Sequence, residues 1–206
     1  MRVPGLFLGR SLNLHAELSR TRPEAAETAS QCLSVSTVGR YSIDGSMALI
    51  FQKTSEIRTS VEALFRFHQD PANLHRINPP GVRVAHLRLP KHWKAGARLG
   101  VTVKILGFIS QDWEVTLEII SPPCRLVDVA IRGPYPQWRH IHEFREVGPR
   151  LSSLTDRVEY LPPWGRWGLL LDRLIFRPQL AVMFAWRHRQ TRRLLEQALA
   201  PKKNQP

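Results

Sequence analysis

From residue 48 to about 160 the chain repeatedly alternates apolar and polar side chains, the period of strands with one face in a core. Residues 48–58 read this way, with Leu49, Phe51 and Ile57 to one side. Thr59 followed by Glu62 makes a capping box. A helix is therefore predicted over 61–68, with Val61, Leu64, Phe65 and His68 on one face. Asp70-Pro71 opens a second short helix, since Asp caps and Pro suits a first turn. It carries Leu74 and Ile77 and stops before Pro79-Pro80-Gly81. Strands follow over 82–89, 99–106, 109–120 and 125–132. Their apolar sets are Val101, Val103 and Ile105, then Trp113, Val115, Leu117 and Ile119, then Val127, Val129 and Ile131. Two further alternating runs flank Gly148-Pro149 and predict an antiparallel hairpin. Trp138, His140, His142 and Phe144 share one face, and Leu154, Asp156, Val158 and Tyr160 form the matching set. His142 is then opposite or diagonal to Asp156. Arg139 meets Glu159 on the other face, near Glu143 and Arg157, with water behind. Residues 162–168 are a loop rich in turn residues and tryptophan, and 169–176 read as helical. Pro178 suits the first turn of a last helix over 179–198. Its apolar face holds Leu180, Met183, Phe184, Leu194, Leu195 and Ala198, with Arg189, Arg192 and Arg193 opposite.

Composition narrows the class. A chain of 206 residues suits one domain with extensions. The formal net charge is +13, yet residues 1–46 hold five arginines against four acidic residues, so the excess lies beyond them. From residue 177 onward there are seven basic residues and one acidic one. Such a balance favours acidic partners or anionic lipid surfaces. Arg187, Arg189, Arg192 and Arg193 are candidates for phosphate contacts. No helix-turn-helix, ribonucleoprotein-type or zinc-finger pattern accompanies them, so nucleic acid is not the expected partner. The two cysteines, Cys32 and Cys124, have no metal-type spacing. They point to a reducing compartment, hence a cytoplasmic location, and to no disulfide framework. No apolar run reaches the ~18 residues of a membrane span, and 169–176 is broken by Asp172 and Arg173. Residues 1–46 lack any sustained period and any proper signal-peptide core. They read as a disordered extension, or a start chosen too early ahead of Met47, with a transit peptide as the alternative. The domain is expected over 47–199, with a disordered tail over 200–206.

Three residue sets carry candidate chemistry. His140 and His142 sit two apart on a strand and, with Asp156, offer two imidazoles and a carboxylate of the kind that binds zinc or iron. No ligand spacing elsewhere supports a metal, so neither metal nor other cofactor is expected. His142 and Asp156 also suit an acid/base couple, because a carboxylate fixes the imidazole tautomer and raises its basicity. No nucleophile motif joins them. Trp164, Trp167 and the 169–171 run, with Arg166, Arg173 and Arg177, read in three ways. They form a lid, a patch for peripheral contact with an anionic membrane, or an oily connector under the sheet edge.

The order β-α-α-β6-α, laid on these residues, resembles the START-like (SRPBCC) superfamily, the helix-grip fold. More narrowly, residues 47–198 resemble the ligand-binding SRPBCC proteins related to polyketide cyclases and coenzyme-Q-binding proteins. The resemblance rests on Phe51, Phe65-Arg66-Phe67-His68, Asn73-Leu74, Asn78-Pro79-Pro80 and Gly133-Pro134-Tyr135. It continues through the 138–144 and 155–160 runs and closes on Phe184-Ala185-Trp186-Arg187-His188-Arg189. It implies an α+β fold in which a curved antiparallel sheet wraps a long C-terminal helix and leaves a gap for a hydrophobic small molecule, lipid-, polyketide- or quinone-like. The expected lining is Phe65, Phe67, His68, Trp113, Tyr135, Trp138, His140, His142, Asp156, Tyr160, Met183 and Phe184. Tyr135 and Trp138 either gate the mouth or sit on a bulge that buries both. A carrier or sensor is the expected role, with a cyclase, dehydratase or hydrolase using His142, Asp156 and His140 as the alternative. The superfamily's ligands and chemistries are diverse, so the fold alone does not choose.

Overall fold

The computed structural model describes residues 48–199; Met47 and the readings made for 1–46 and 200–206 lie outside the described residues. The chain opens with β1 (Leu49–Ile57), α1 (Val61–Gln69), a 3-10 turn (Pro71–Asn73) and α2 (Leu74–Ile77). Six strands follow: β2 (Val82–Arg88), β3 (Arg98–Ile105), β4 (Ile109–Ser121), β5 (Arg125–Arg132), β6 (Gln137–Gly148) and β7 (Leu151–Leu161). Then come α3 (Gly165–Leu171), one π-helical turn (Asp172–Phe176) and the long α4 (Arg177–Leu199). The strands make one antiparallel sheet in the order β1-β7-β6-β5-β4-β3-β2. This is the expected α+β arrangement, a curved seven-stranded sheet with a long C-terminal helix.

Local chemistry explains most boundaries. Asp70 caps the 3-10 turn, accepting from the Ala72 amide at 3.0 Å, and Pro71 follows. The predicted capping box shifts by one residue. Ser60, not Thr59, caps α1, with its hydroxyl accepting from the Ala63 amide at 3.3 Å. Thr59 is buried, and its carbonyl accepts from the Ser152 hydroxyl at 2.9 Å. That bond ties it to the end of the sheet rather than to the helix.

The faces of β4 and β5 also differ from the alternation. The β4–β5 pairing shifts register between Glu114 and Val115 and again between Leu117 and Ile119. A register shift moves the following residues to the opposite face. Ile120, rather than Ile119, packs against the core. On β5 the inner face is Leu126, Asp128 and Ala130, and the expected Ile131 is exposed. The charge ladder on the outer face is more enclosed than expected. Arg139 reaches Glu118 at 2.7 Å and Glu159 at 3.3 Å, and Glu159, which also meets Arg157, is buried.

Two apolar clusters form the core. One joins Ile57, Val61, Leu64, Phe65, Leu117, Leu126, Phe144 and Leu154 near the β6–β7 turn. The other joins Phe51, Trp138, Val158, Tyr160, Phe176, Leu180 and Phe184 at the opposite end. Burying each such side chain contributes about 1.5–3 kcal/mol. α4 serves both, with Leu180 and Phe184 in one and Leu195 against the other. Ala198, placed on this face from sequence, is exposed.

The tryptophan segment is not packed under a sheet edge. Trp164 and Trp167 are 67% and 66% exposed, and Leu170, Leu174 and Val182 are similarly open. Below them Asp172 is buried. It accepts from the Tyr160 hydroxyl at 2.6 Å and pairs with Arg177 at 3.4 Å. The cysteine reading is corrected as well: Cys124 is disulfide-bonded, and Cys32 lies outside the described residues. Arg187 and Arg192 are engaged within the fold, on the Asn78 side chain and the Glu56 carbonyl respectively.

α3 approaches the preceding loop at Gly168, where an added Cβ would lie 1.9 Å from the Pro163 carbonyl oxygen. Gly168→Ala gains helix propensity but forces α3 away from that backbone. A net loss of about 1–3 kcal/mol is expected. Thermal unfolding read beside limited proteolysis across 162–176 checks it, with a lower midpoint or faster cleavage there as the expected outcome.

Candidate functional site

Between the two apolar clusters lies a belt of polar side chains. It is built at one level from β5, β6, β7 and α4: Asp128, His140 with His142, Asp156, and His188. Alternation on β6 puts Trp138 in one cluster, the two histidines in the belt and Phe144 in the other. On β7, Tyr160 and Val158, then Asp156, then Leu154 repeat that order. The register sets His142 directly across from Asp156, as read from sequence. On α4, Leu180, Phe184, His188, Thr191 and Leu195 recur at three- and four-residue steps on the side facing the sheet.

Asp156 is the centre of the belt. It is 3% exposed, with Nε2 of His140 at 3.2 Å and Nδ1 of His142 at 2.6 Å from its Oδ1. Nε2 of His188, itself buried, lies 2.9 Å from its Oδ2. Asp128 faces the far sides of the same two β6 rings. Its Oδ2 is 3.7 Å from His140 Nδ1 and 3.4 Å from His142 Nε2. The two rings lie 3.9 Å apart between centroids. His68 of α1 donates from Nδ1 to the Leu64 carbonyl (2.9 Å) and sets its ring 5.6 Å from that of His142. Arg187 lies half-buried on α4, its guanidinium bonded to Asn78.

Charge is distributed unequally over this belt. Burial opposes charging of His142, but Asp156 and Asp128 together outweigh it and lift its pKa to about 9. Burial pulls His140 down, and the neighbouring His142 charge adds to that. Burial and His142 likewise lower His68 to about 4. Burial would raise Asp156, yet His142, His140 and His188 hold it well below the usual carboxylate range. Desolvation also lowers the Arg187 guanidinium. Near neutral pH, then, His142 is the charged imidazole between two carboxylates, and His140 and His68 are neutral. His142 is poised as a proton donor rather than as the base of a His–Asp couple.

The residues expected to line one cavity divide into three groups. His140, His142 and Asp156 meet in the belt, with His68 at its border. Trp113, Tyr135, Trp138, Tyr160, Met183 and Phe184 gather in the aromatic cluster. There Trp138 stands 5.2 Å from Trp113 and 5.0 Å from Tyr135, and Tyr135 meets Tyr160 at 5.9 Å and Phe176 at 6.0 Å. Gly133 lets the Trp113 ring lie on its backbone, since a Cβ would meet that ring at 3.0 Å. Phe65 goes to the other cluster, edge-on to Phe144 at 5.5 Å. Phe67 is buried apart from both, beside His68.

Sequence reading missed Asp128, His188 and Asp172. Asp128 was hidden by the more apolar alternate set of β5. His188 had a usable signal, because it stands four residues beyond Phe184 on the predicted core face. Asp172 looked like an interruption of an oily run.

No family model matches the sequence, and no curated protein matches it. Solved structures do match. A START superfamily protein from Mycobacterium smegmatis aligns at TM-score 0.53 and 14% identity, over 72% of this chain and 98% of its own. An aromatase/cyclase from Streptomyces sp. R1128 aligns at 0.54 and 10%, over 71% and 95%. Norcoclaurine synthase from Thalictrum flavum, in complex with dopamine and hydroxybenzaldehyde, aligns at 0.56 and 14%, over 77% and 90%.

Removing the Asp156 charge takes the shared acceptor from His140 and His188 and the close carboxylate from His142. Asp156→Asn is expected to cost about 3–5 kcal/mol, read as a lower denaturant midpoint at unchanged slope. An unchanged midpoint would show that the belt is not held by this carboxylate. Element order, sheet topology and these alignments together assign the chain to the START-like, helix-grip fold.

Proposed function

We propose that the protein binds a hydrophobic small molecule with an aromatic or lipid-like body, held at the aromatic cluster with its polar end toward the belt. The observation that carries this is the juxtaposition of two chemistries on one inner surface. Trp113, Tyr135 and Met183 are only partly buried around Trp138, Tyr160 and Phe184, and His140 touches Phe184 at 5.2 Å between ring centroids. An apolar wall beside a few fixed polar groups is what such ligands require. Fold neighbours support the class: one is an aromatase/cyclase, and another holds dopamine and hydroxybenzaldehyde, both small aromatic molecules. A carrier or sensor remains the preferred role. The cyclase, dehydratase or hydrolase reading is favoured by one feature, the His142–Asp156 contact, and it needs His142 as an acid.

The environmental probe 8-anilinonaphthalene-1-sulfonate tests the site directly. Its fluorescence should rise on binding, and Trp138→Ala with Phe184→Ala should weaken that binding by roughly tenfold or more, as loss of buried aromatic contact area implies. Native mass spectrometry of the purified protein should retain an apolar adduct. Probe binding untouched by both substitutions, with no adduct, would reject the site.

A second surface favours contact with anionic membranes. The sheet register brings α3 and the β3–β4 turn to the same end, because β7 ends where β6 begins, β5 ends, β4 begins and β3 ends. At that end Trp164, Trp167, Leu170 and Leu174 are exposed beside Arg166, Arg173 and Arg177, and Leu106, Phe108 and Ile109 are exposed at the turn. Indole rings and arginines together suit the headgroup region. Among the described residues no helix is long and apolar enough to cross a bilayer. Such contact is therefore peripheral. The cytoplasmic location rested partly on cysteine usage, and the disulfide at Cys124 withdraws that support. Flotation with phosphatidylserine-containing vesicles should carry the protein upward. Trp164→Ser with Trp167→Ser should abolish flotation, whereas equal flotation of this variant would exclude the patch.

A further inference from the structure

The polar belt holds more ligand chemistry than an acid/base couple uses. Asp128, His140 and His142 each present one donor atom, and these lie within 4.8 Å of one another. Asp128 Oδ2 is 3.7 Å from His140 Nδ1 and 3.4 Å from His142 Nε2. Bonds of about 2.0–2.1 Å at tetrahedral angles place ligand atoms about 3.3–3.4 Å apart. The two spacings from Asp128 are thus close to those of a bound cation.

The opposite ring nitrogens carry the stronger argument. His140 Nε2 and His142 Nδ1 both turn to the same oxygen of Asp156, at 3.2 and 2.6 Å. A carboxylate behind a ligating imidazole fixes its tautomer and aims its free nitrogen. Here one carboxylate stands behind two imidazoles, hydrogen-bonded to His140 Nε2 and in ion-pair contact alone with His142 Nδ1, and the other nitrogen of each ring faces Asp128. Asp156 is held in turn by His188 from α4. Among the described residues the ion-pair contacts of Asp128 are these two rings, and the Arg187 guanidinium acts on Asp128 and Asp156 only from beyond ion-pair distance.

We propose that Asp128, His140 and His142 form a binding site for a first-row divalent transition metal, with Asp156 as the residue that positions both imidazoles. Two imidazoles and one carboxylate suit zinc or iron(II) and leave coordination positions open to water or an anionic oxygen, and the cation takes the place of the proton that His142 carries without it, so binding releases that proton. Asp156, expected from sequence to be the third ligand, takes the supporting place, and Asp128 takes its own. The site borders the aromatic cluster through His140 and Phe184, yet its existence does not depend on an apolar ligand.

Cobalt(II) is the probe. The full-length chain is stripped with a chelator, dialysed and titrated. One equivalent should bind at the site with visible d–d absorption, and zinc should displace it. His140→Gln with His142→Gln should remove that absorption. Asp128→Asn should do so as well, and Asp156→Asn should weaken binding by about 10–100-fold. His92→Gln, on a loop outside the belt, should change nothing. Circular dichroism checks each fold; if Asp128→Asn is unfolded, Asp128→Glu replaces it and should alter the cobalt spectrum. Absence of cobalt absorption in the unmodified chain, or absorption that survives loss of both histidines, overturns the proposal.

Discussion

A carboxylate with almost no exposure cannot stay charged inside a protein unless other groups replace the water it has lost. Asp156 has that problem, and the middle of the structure is arranged around its solution. Two replacements come from the neighbouring strand and one from the C-terminal helix. The helix is therefore held to the sheet at its waist by a charged contact and at its two ends by apolar ones. Asp156, joined by a second carboxylate on β5, favours the charged form of His142 against its burial. His142, caught between the two, takes the proton at the expense of His140 and His68. One buried charge thus reaches from packing to protonation state to the chemistry open to the site.

The architecture was legible because it depends on periods and punctuation. Strand alternation, Gly148-Pro149 and Asp70-Pro71 act locally, so the order of elements and the β6–β7 register followed from neighbouring residues. His140, His142 and Asp156 were visible for the same reason: one hairpin holds all three. Asp128 and His188 belong to elements that reach the belt only through tertiary packing. For Asp128, the alternate set of β5 that holds it, Leu126, Asp128 and Ala130, is the less apolar of the two. The apolar set Val127, Val129 and Ile131 pointed to the wrong side. His188 shared its helix face with Phe184, but a lone histidine at core spacing carries no direction until the sheet is in place.

The segment after β7 teaches a related lesson. Tryptophan, leucine and isoleucine at such density suggest burial, and an apolar connector would satisfy the hydrophobic effect. Gly168, Asp172 and Phe176 turn inward here, with Leu171 against the aromatic cluster. The π-helical turn, closed by the Arg177 amide on the Asp172 carbonyl, carries an inward carboxylate to the Tyr160 hydroxyl. That anchor leaves the larger side chains facing outward. Exposure of so many apolar groups follows from how one acidic residue is satisfied.

Because polar side chains separate the two oily compartments, residues deep in one have few partners in the other. Changes in well-separated sites without common neighbours tend to add rather than interfere. The aromatic end can therefore be reshaped over generations while the opposite end keeps α1 seated and the chain folded. The belt partitions the interior into a part that evolution can experiment with and a part it must conserve.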